Sequence, residues 1–192
     1  MDTRLFCAAI SVRRLICGVI LLTADVALVV RSFGAIEVAM ALMSYRNAFK
    51  AQDVDGSLRG LIPPLVYTGG LFVSPLYQLD SGLEVALWAI VAFRTWCLVS
   101  LGFSVSCGVS TFLGVKTRGP YAWVRHPMQL SGILARVIFC AAWPLPINLA
   151  GLVMMIAGSI AIVIAEESYL RTFEGWEDYA ARVRFRLLPG VW

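Results

Sequence analysis

The sequence predicts an all-α integral membrane protein: a bundle of about five transmembrane helices with a C-terminal cytoplasmic amphipathic segment. Three observations point there. The 192 residues are 59% hydrophobic and only 15% charged, against about 25% charged in ordinary soluble domains, and their mean hydropathy is +0.79. The apolar residues come in long runs, and Ile147 to Ala165 has no charge at all; nineteen residues at 1.5 Å each make about 28 Å of helix, close to the hydrocarbon thickness of a bilayer. The polar residues, by contrast, gather in the connections and in the tail. Length suggests one unit, residues 1–192, without internal repeats or low-complexity stretches.

Element by element, the first span is Leu15–Val30. Arg4, Arg13 and Arg14 precede it and no small-residue cleavage pattern follows, so Arg13-Arg14 reads as a topological anchor rather than part of a cleaved signal. Phe33–Met43 is too short to cross upright. It is either a separate element or a continuation of the first span, and Arg31-Ser-Phe-Gly34 permits a turn between them. Leu61–Tyr77 and Leu83–Val105 follow, then Leu130–Trp143 and Ile147–Ala165, joined by a turn that Pro144 and Pro146 make.

Loop charges orient these spans. Arg46, Lys50 and Arg59 lie in residues 44–60. Lys116, Arg118 and Arg125 lie in residues 106–129, and Arg171, Arg182, Arg184 and Arg186 lie in the tail. The connections Gln78–Gly82 and Trp143–Pro146 carry no Lys or Arg. The positive-inside rule therefore puts the 106–129 loop and the tail together on the cytoplasmic face. In the tail, Tyr169, Leu170, Phe173, Trp176, Tyr179, Val183 and Leu187 recur at spacings of three and four among charges. That is the pattern of an amphipathic helix at an interface, which Gly175 is placed to break.

Several functions are disfavoured. A net charge of +4, dispersed and without a basic run, makes no nucleic-acid footprint. Five cysteines without a CxxC pair, and a single histidine, make no zinc site, so the thiols are expected to be buried small hydrophobes and no metal is expected. There is no GxGxxG after a strand, no Walker loop and no GxSxG elbow. No signal indicates an oligomeric state.

Chemistry concentrates in two places. Lys116-Thr-Arg-Gly-Pro-Tyr-Ala-Trp-Val-Arg-His-Pro127 holds the only histidine, three of the sixteen basic residues and two prolines. Pro127 suits the first turn of a helix. A helix starting there aims the N–H groups of Met128–Leu130, with Arg125 and His126, into one volume that attracts carboxylate or phosphate. A plain basic juxtamembrane loop is the competing reading. The second place is Glu166-Glu167, two acids at the end of the most hydrophobic segment. They oppose the negative end of the helix dipole there, so a partner or a ligand is expected. Within the spans, Asp25, Glu37, Glu84, Arg94 and Arg136 should face the bundle interior, since lipid exposure costs about 2.5–3.5 kcal/mol each. Arg94 lies midway along its span. Arg136 is about two turns beyond Gln129 and could line the floor of the loop's cavity. For both, functional lining and a structural ion pair stand as alternatives.

Gly119-Pro-Tyr-x-x-Val-Arg-His-Pro127, then Glu166-Glu167, Leu170, Phe173, Tyr179 and Leu188-Pro-Gly190, resembles the isoprenylcysteine carboxyl methyltransferase family, a pattern shared by phospholipid methyltransferases. Arg94-x-Trp96 and Leu101-Gly102 also fit. The resemblance covers about Leu83–Gly190, making 83–192 a methyltransferase-like core behind the N-terminal spans of 1–82. It implies S-adenosylmethionine as methyl donor and a lipid-like or small amphiphilic acceptor (carboxylate, amine or thiol) drawn from the bilayer. Carried over, Tyr121, His126, Pro127 and Met128 would line the cofactor pocket. Lys116 and Arg125 would address its carboxylate end, and Glu166 its polar groups. His126 or Glu167 would be the base for an acceptor that must lose a proton, and Arg94, Gln129 and Arg136 would meet the acceptor. Two departures stand against the best-known substrate. Gln129 replaces the usual tyrosine, and Ile162 replaces an arginine about one turn before the acidic pair. An NADPH-dependent membrane reductase on a related scaffold, or a non-catalytic membrane protein, is the alternative.

Overall fold

The computed structural model describes residues 28–48, 80–102 and 115–192, with residues 11–12, 15–16 and 19 helical near the N-terminus. Among the described residues the chain is entirely helical, with no strand. Helix α1 is Leu28–Ala48, α2 is Ser81–Ser100, α3 is Pro127–Ala142, α4 is Pro146–Leu170 and α5 is Trp176–Arg182; a single 3-10 turn, Gly119–Ala122, precedes α3. The expected spans Leu61–Tyr77 and most of Leu15–Val30 lie outside the described residues, as do Asp25, Cys7, Cys17 and Cys107.

Phe33–Met43 lies inside helix α1, and no turn bounds it at Arg31–Gly34. Whether α1 continues the first expected span falls on residues 20–27, outside the described residues. Arg31-Ser-Phe-Gly34 lies inside the helix, where the Ser32 hydroxyl donates to the Leu28 carbonyl at 3.0 Å. One glycine in a helix costs only about 1 kcal/mol, and packing against α2 outweighs it.

Helix α2 begins where Asp80 accepts a hydrogen bond from the Gly82 N–H at 2.8 Å, an N-cap that satisfies a terminal donor. It buries Leu87, Ile90, Val91, Arg94, Cys97 and Leu98, the three-and-four spacing of one helical face. Helix α3 packs between α2 and α4. Val29, Leu87, Ile90, Val91, Ala135, Ile138 and Phe139 form a core across α1, α2 and α3. Helix α4 turns Gly151, Met155, Ser159 and Ile162 inward, again one stripe. At the hairpin turn the Asn148 side chain donates to the Trp143 carbonyl at 2.8 Å, which ties the two helices together.

Helices α2 and α4 are long and apolar enough to cross a membrane, while α3 is apolar but shorter, at 16 residues. The outward faces carry large apolar side chains such as Val85, Val99, Val153 and Ile164, whereas Arg94, Ser131, Arg136, Asn148 and Ser159 are buried. Large apolar side chains thus face outward on helices that also bury several polar ones. Cys97 and Cys140 are buried free thiols, as expected of them.

Beyond α4 the tail departs from a single amphipathic helix. It breaks at Gly175, whose φ of 81° favours glycine, and resumes as the seven-residue α5. Trp176, Tyr179 and Val183 are buried beside Val115, Leu170 and Ala180.

Candidate functional site

The loop and the acidic pair, forty residues apart in sequence, meet at the ring of His126. The local chain sets this up. Gly119 adopts φ 63° and comes so close to Trp96 and Ser100 of α2 that a Cβ would collide with the Ser100 hydroxyl. Pro120 then opens the 3-10 turn, and Pro127 starts α3 at its first position. His126 is the N-cap, but its side chain makes no capping bond. Both ring nitrogens face α4 instead: Nδ1 lies 3.4 Å from Glu166 Oε2, and Nε2 lies 3.3 Å from Glu167 Oε1. Consecutive residues on a helix are about 100° apart, which lets the two carboxylates straddle one imidazole. Burial alone would lower the His126 pKa. The hydrogen bonds and charges of Glu166 and Glu167 outweigh it, so the pKa is raised and the ring favours its protonated form.

Glu167 is the hub. Its side chain is 4% exposed, and it accepts from Arg125 Nη1 at 2.9 Å and from Arg186 Nε at 2.9 Å besides facing His126. Three cationic groups thus offset the unfavourable position of an acid at a helix C-terminus. Among the described residues, His126 is the one ion-pair partner of Glu166, which is 27% exposed.

Arg186 arrives because the tail folds back across the loop. Gly190 adopts φ 82° in the Leu188-Pro-Gly190 turn, and the Arg186 N–H donates to the Trp192 carbonyl at 2.9 Å. The Arg186 guanidinium also lies 4.9 Å from the Trp192 ring. The N–H groups of Arg125 and His126 donate to the carbonyls of Phe185 and Arg186, each at 2.9 Å. Arg125 is held further by the Arg184 carbonyl at 3.1 Å and by the Trp176 ring at 5.7 Å. Tyr179 donates from its hydroxyl to the Tyr121 carbonyl at 2.8 Å. Burial raises the pKa of both phenols, so they stay neutral.

Beneath the loop, Arg94 is buried between α1 and α3. Its Nη2 pairs with Glu37 Oε1 at 2.6 Å, and its Nη1 donates to Ser131 Oγ at 2.9 Å and to the Met128 carbonyl at 3.4 Å. The same Ser131 hydroxyl donates to the Met128 carbonyl at 2.7 Å. Arg94 therefore forms a structural ion pair directly under the first turn of α3. Tyr121 packs with Met40, Leu98 and Leu101, with Met128 beside them.

Tyr121, Arg125, His126, Pro127, Met128, Glu166 and Glu167 thus come together, with Arg94 below them. Lys116 and Gln129 are half-buried near the loop's two ends, without a described side-chain contact. Arg136, expected on the floor of the loop's cavity, is elsewhere. Its guanidinium lies against Gly151, sixteen residues and about 24 Å along α4 from Glu167. Nine residues into α3, about 14 Å from the helix's loop end, it faces the hairpin half of α4.

The sequence did not single out Arg186, Trp176 or Trp192 as site residues, nor Tyr179 as a donor to the loop. A usable signal was Leu188-Pro-Gly190, which reverses the chain and returns the arginine. Comparison of the chain with protein families, with curated proteins and with solved structures finds no match.

Proposed function

We propose that the chain is a multi-pass integral membrane methyltransferase of about five spans. It uses S-adenosylmethionine on a lipid-like or small amphiphilic acceptor, and its 116–127 loop and tail lie on the cytoplasmic face. The observation that supports this most is the clasp of His126 between Glu166 and Glu167 at 3.3–3.4 Å. It joins the two motifs of the methyltransferase pattern and leaves Glu166 partly open. The apolar outward faces of α2 and α4 support the membrane part of the reading.

The residues suit such a cofactor. Glu166 is partly exposed and, among the described residues, pairs only with His126, so it keeps lone pairs that can accept from ribose hydroxyls or an ammonium group. Tyr121 interacts electrostatically with Glu166, and with Met128 it supplies an apolar wall. Lys116, half-buried at the start of the loop, is a cation available for a carboxylate. Arg125 is committed to Glu167 and the tail, so it positions the loop rather than binding directly. When bound, the cofactor supplies a methyl group on a sulfonium, a transfer that depends mainly on alignment.

Of the two expected bases, Glu167 is the less free to take a proton, because Arg125, Arg186 and His126 already engage it. A carboxylate acceptor needs no base at all, whereas an amine or thiol would rely on His126.

Calorimetry on the detergent-solubilised full chain tests the reading. S-adenosylhomocysteine should bind, and Glu166→Ala should weaken it tenfold or more. Tight NADPH binding without S-adenosylhomocysteine binding would replace the methyltransferase with a reductase. Cofactor binding untouched by both Glu166→Ala and His126→Ala would remove these residues from any pocket.

A further inference from the structure

The far end of the α3–α4 hairpin holds a charge that the His126 cluster does not use. Arg136 is 2% exposed, on the face of α3 that meets α4. Its guanidinium lies against the backbone of Gly151, where an added Cβ would stand 2.7 Å from Cζ and 3.0 Å from Nε. Only glycine admits the group there. Both Nε and Nη2 are buried without a hydrogen-bond partner among the described residues. Residues 127–142 contain no acid, and α4 has none before Glu166, about 22 Å farther along the helix. Cys140 interacts electrostatically with Arg136, but its thiol already donates to the Asn148 carbonyl at 3.1 Å. A buried cation with idle donors and no described counter-charge is an unstable arrangement.

The helix itself adds to the imbalance. Gly151 lies in the second turn of the 25-residue α4, near the positive end of its dipole. Guanidinium and helix terminus thus raise the potential at one place, and idle N–H donors point into it. A guanidinium presents a planar fork that matches two oxygens of a phosphate. Around the turn Leu145, Ile147 and Leu149 are exposed and apolar, a rim suited to acyl chains.

We propose that Arg136 and the first two turns of α4 bind a phosphate group, carried by an anionic phospholipid or present as free phosphate. The site lies at the opposite end of α4 from Glu166, and it stands whether or not the chain transfers methyl groups. The apolar rim favours the lipid.

Native mass spectrometry of the full chain in detergent tests it, with phosphatidylglycerol, phosphatidylcholine and inorganic phosphate as separate ligands. Wild-type protein should retain one phosphatidylglycerol at concentrations where phosphatidylcholine is lost. Arg136→Gln should weaken that retention at least tenfold, and Arg136→Lys should keep part of it. Displacement of the lipid by millimolar inorganic phosphate would identify free phosphate as sufficient; retention in its presence would identify the lipid. Equal retention by wild type and Arg136→Gln overturns the proposal. If the variant loses its helical circular dichroism, the wild-type chain carries the test. Phosphatidylglycerol or phosphate should then raise its Tm above the value in equimolar phosphatidylcholine, and no difference overturns the proposal.

Discussion

Glu167→Gln probes the hub directly. The side chain is 4% exposed and holds Arg125 and Arg186 at 2.9 Å each, with His126 at 3.3 Å. The amide keeps the shape but removes the charge, leaving three cations around a neutral group. The Arg125 hydrogen bond is worth about 1.5–3 kcal/mol as a charge-assisted contact. The Arg186 side chain is 29% exposed, so water screens its loss to roughly 0.5–1 kcal/mol. The long His126 contact adds about 0.5 kcal/mol. The total is about 3 kcal/mol, which for a chain of this size lowers Tm by roughly 6–12 °C. Tryptophan fluorescence on heating in detergent reads this, because Trp176 and Trp192 lie against the two arginines. Glu166→Gln is the control: one contact at 3.4 Å on a 27% exposed side chain should cost under about 1 kcal/mol. If both variants melt alike, or Glu167→Gln melts with the wild type, the hub argument fails.

Three further outcomes follow from the same geometry. The raised pKa of His126 means that its stabilisation is complete below the unfolded value near about 6.5 and disappears as pH rises through the folded value. Tm between pH 5.5 and 9 should therefore fall on the alkaline side, and His126→Gln should flatten that fall. Gly119→Ala should destabilise by about 1–2 kcal/mol, because φ 63° strains any side chain and its Cβ meets Ser100 and Trp96; a chemical denaturation midpoint measures it. Arg94→Met should cost about 3–5 kcal/mol by stranding buried Glu37, whereas Arg94→Met with Glu37→Met should recover most of that loss. Equal Tm for the single and double variants would show the pair to be uncoupled.

Much of the helical plan was legible in the residues. Pro127 opens α3, the Pro144–Pro146 stretch makes the hairpin turn, and Gly175 breaks the tail; each follows from backbone chemistry that acts within a few residues. The uninterrupted run through Arg31–Gly34 was not legible. A glycine only permits a turn, and whether the chain takes it depends on what α1 packs against.

What the sequence determined by itself was therefore local: helix as the only regular structure among the described residues, its starts and stops, and the two polar clusters set among apolar runs. What only the tertiary structure decided was who meets whom. Glu166 and Glu167 straddle His126 because α3 and α4 run side by side. Arg186 reaches Glu167 because the tail turns back at Gly190. Arg94 finds Glu37 fifty-seven residues away, while Arg136 faces Gly151 instead of the loop. Charge partners are chosen by distance in space, with buried ions under the strongest demand for a counter-charge. Spacing along a chain carries that distance only within a helix, never between helices.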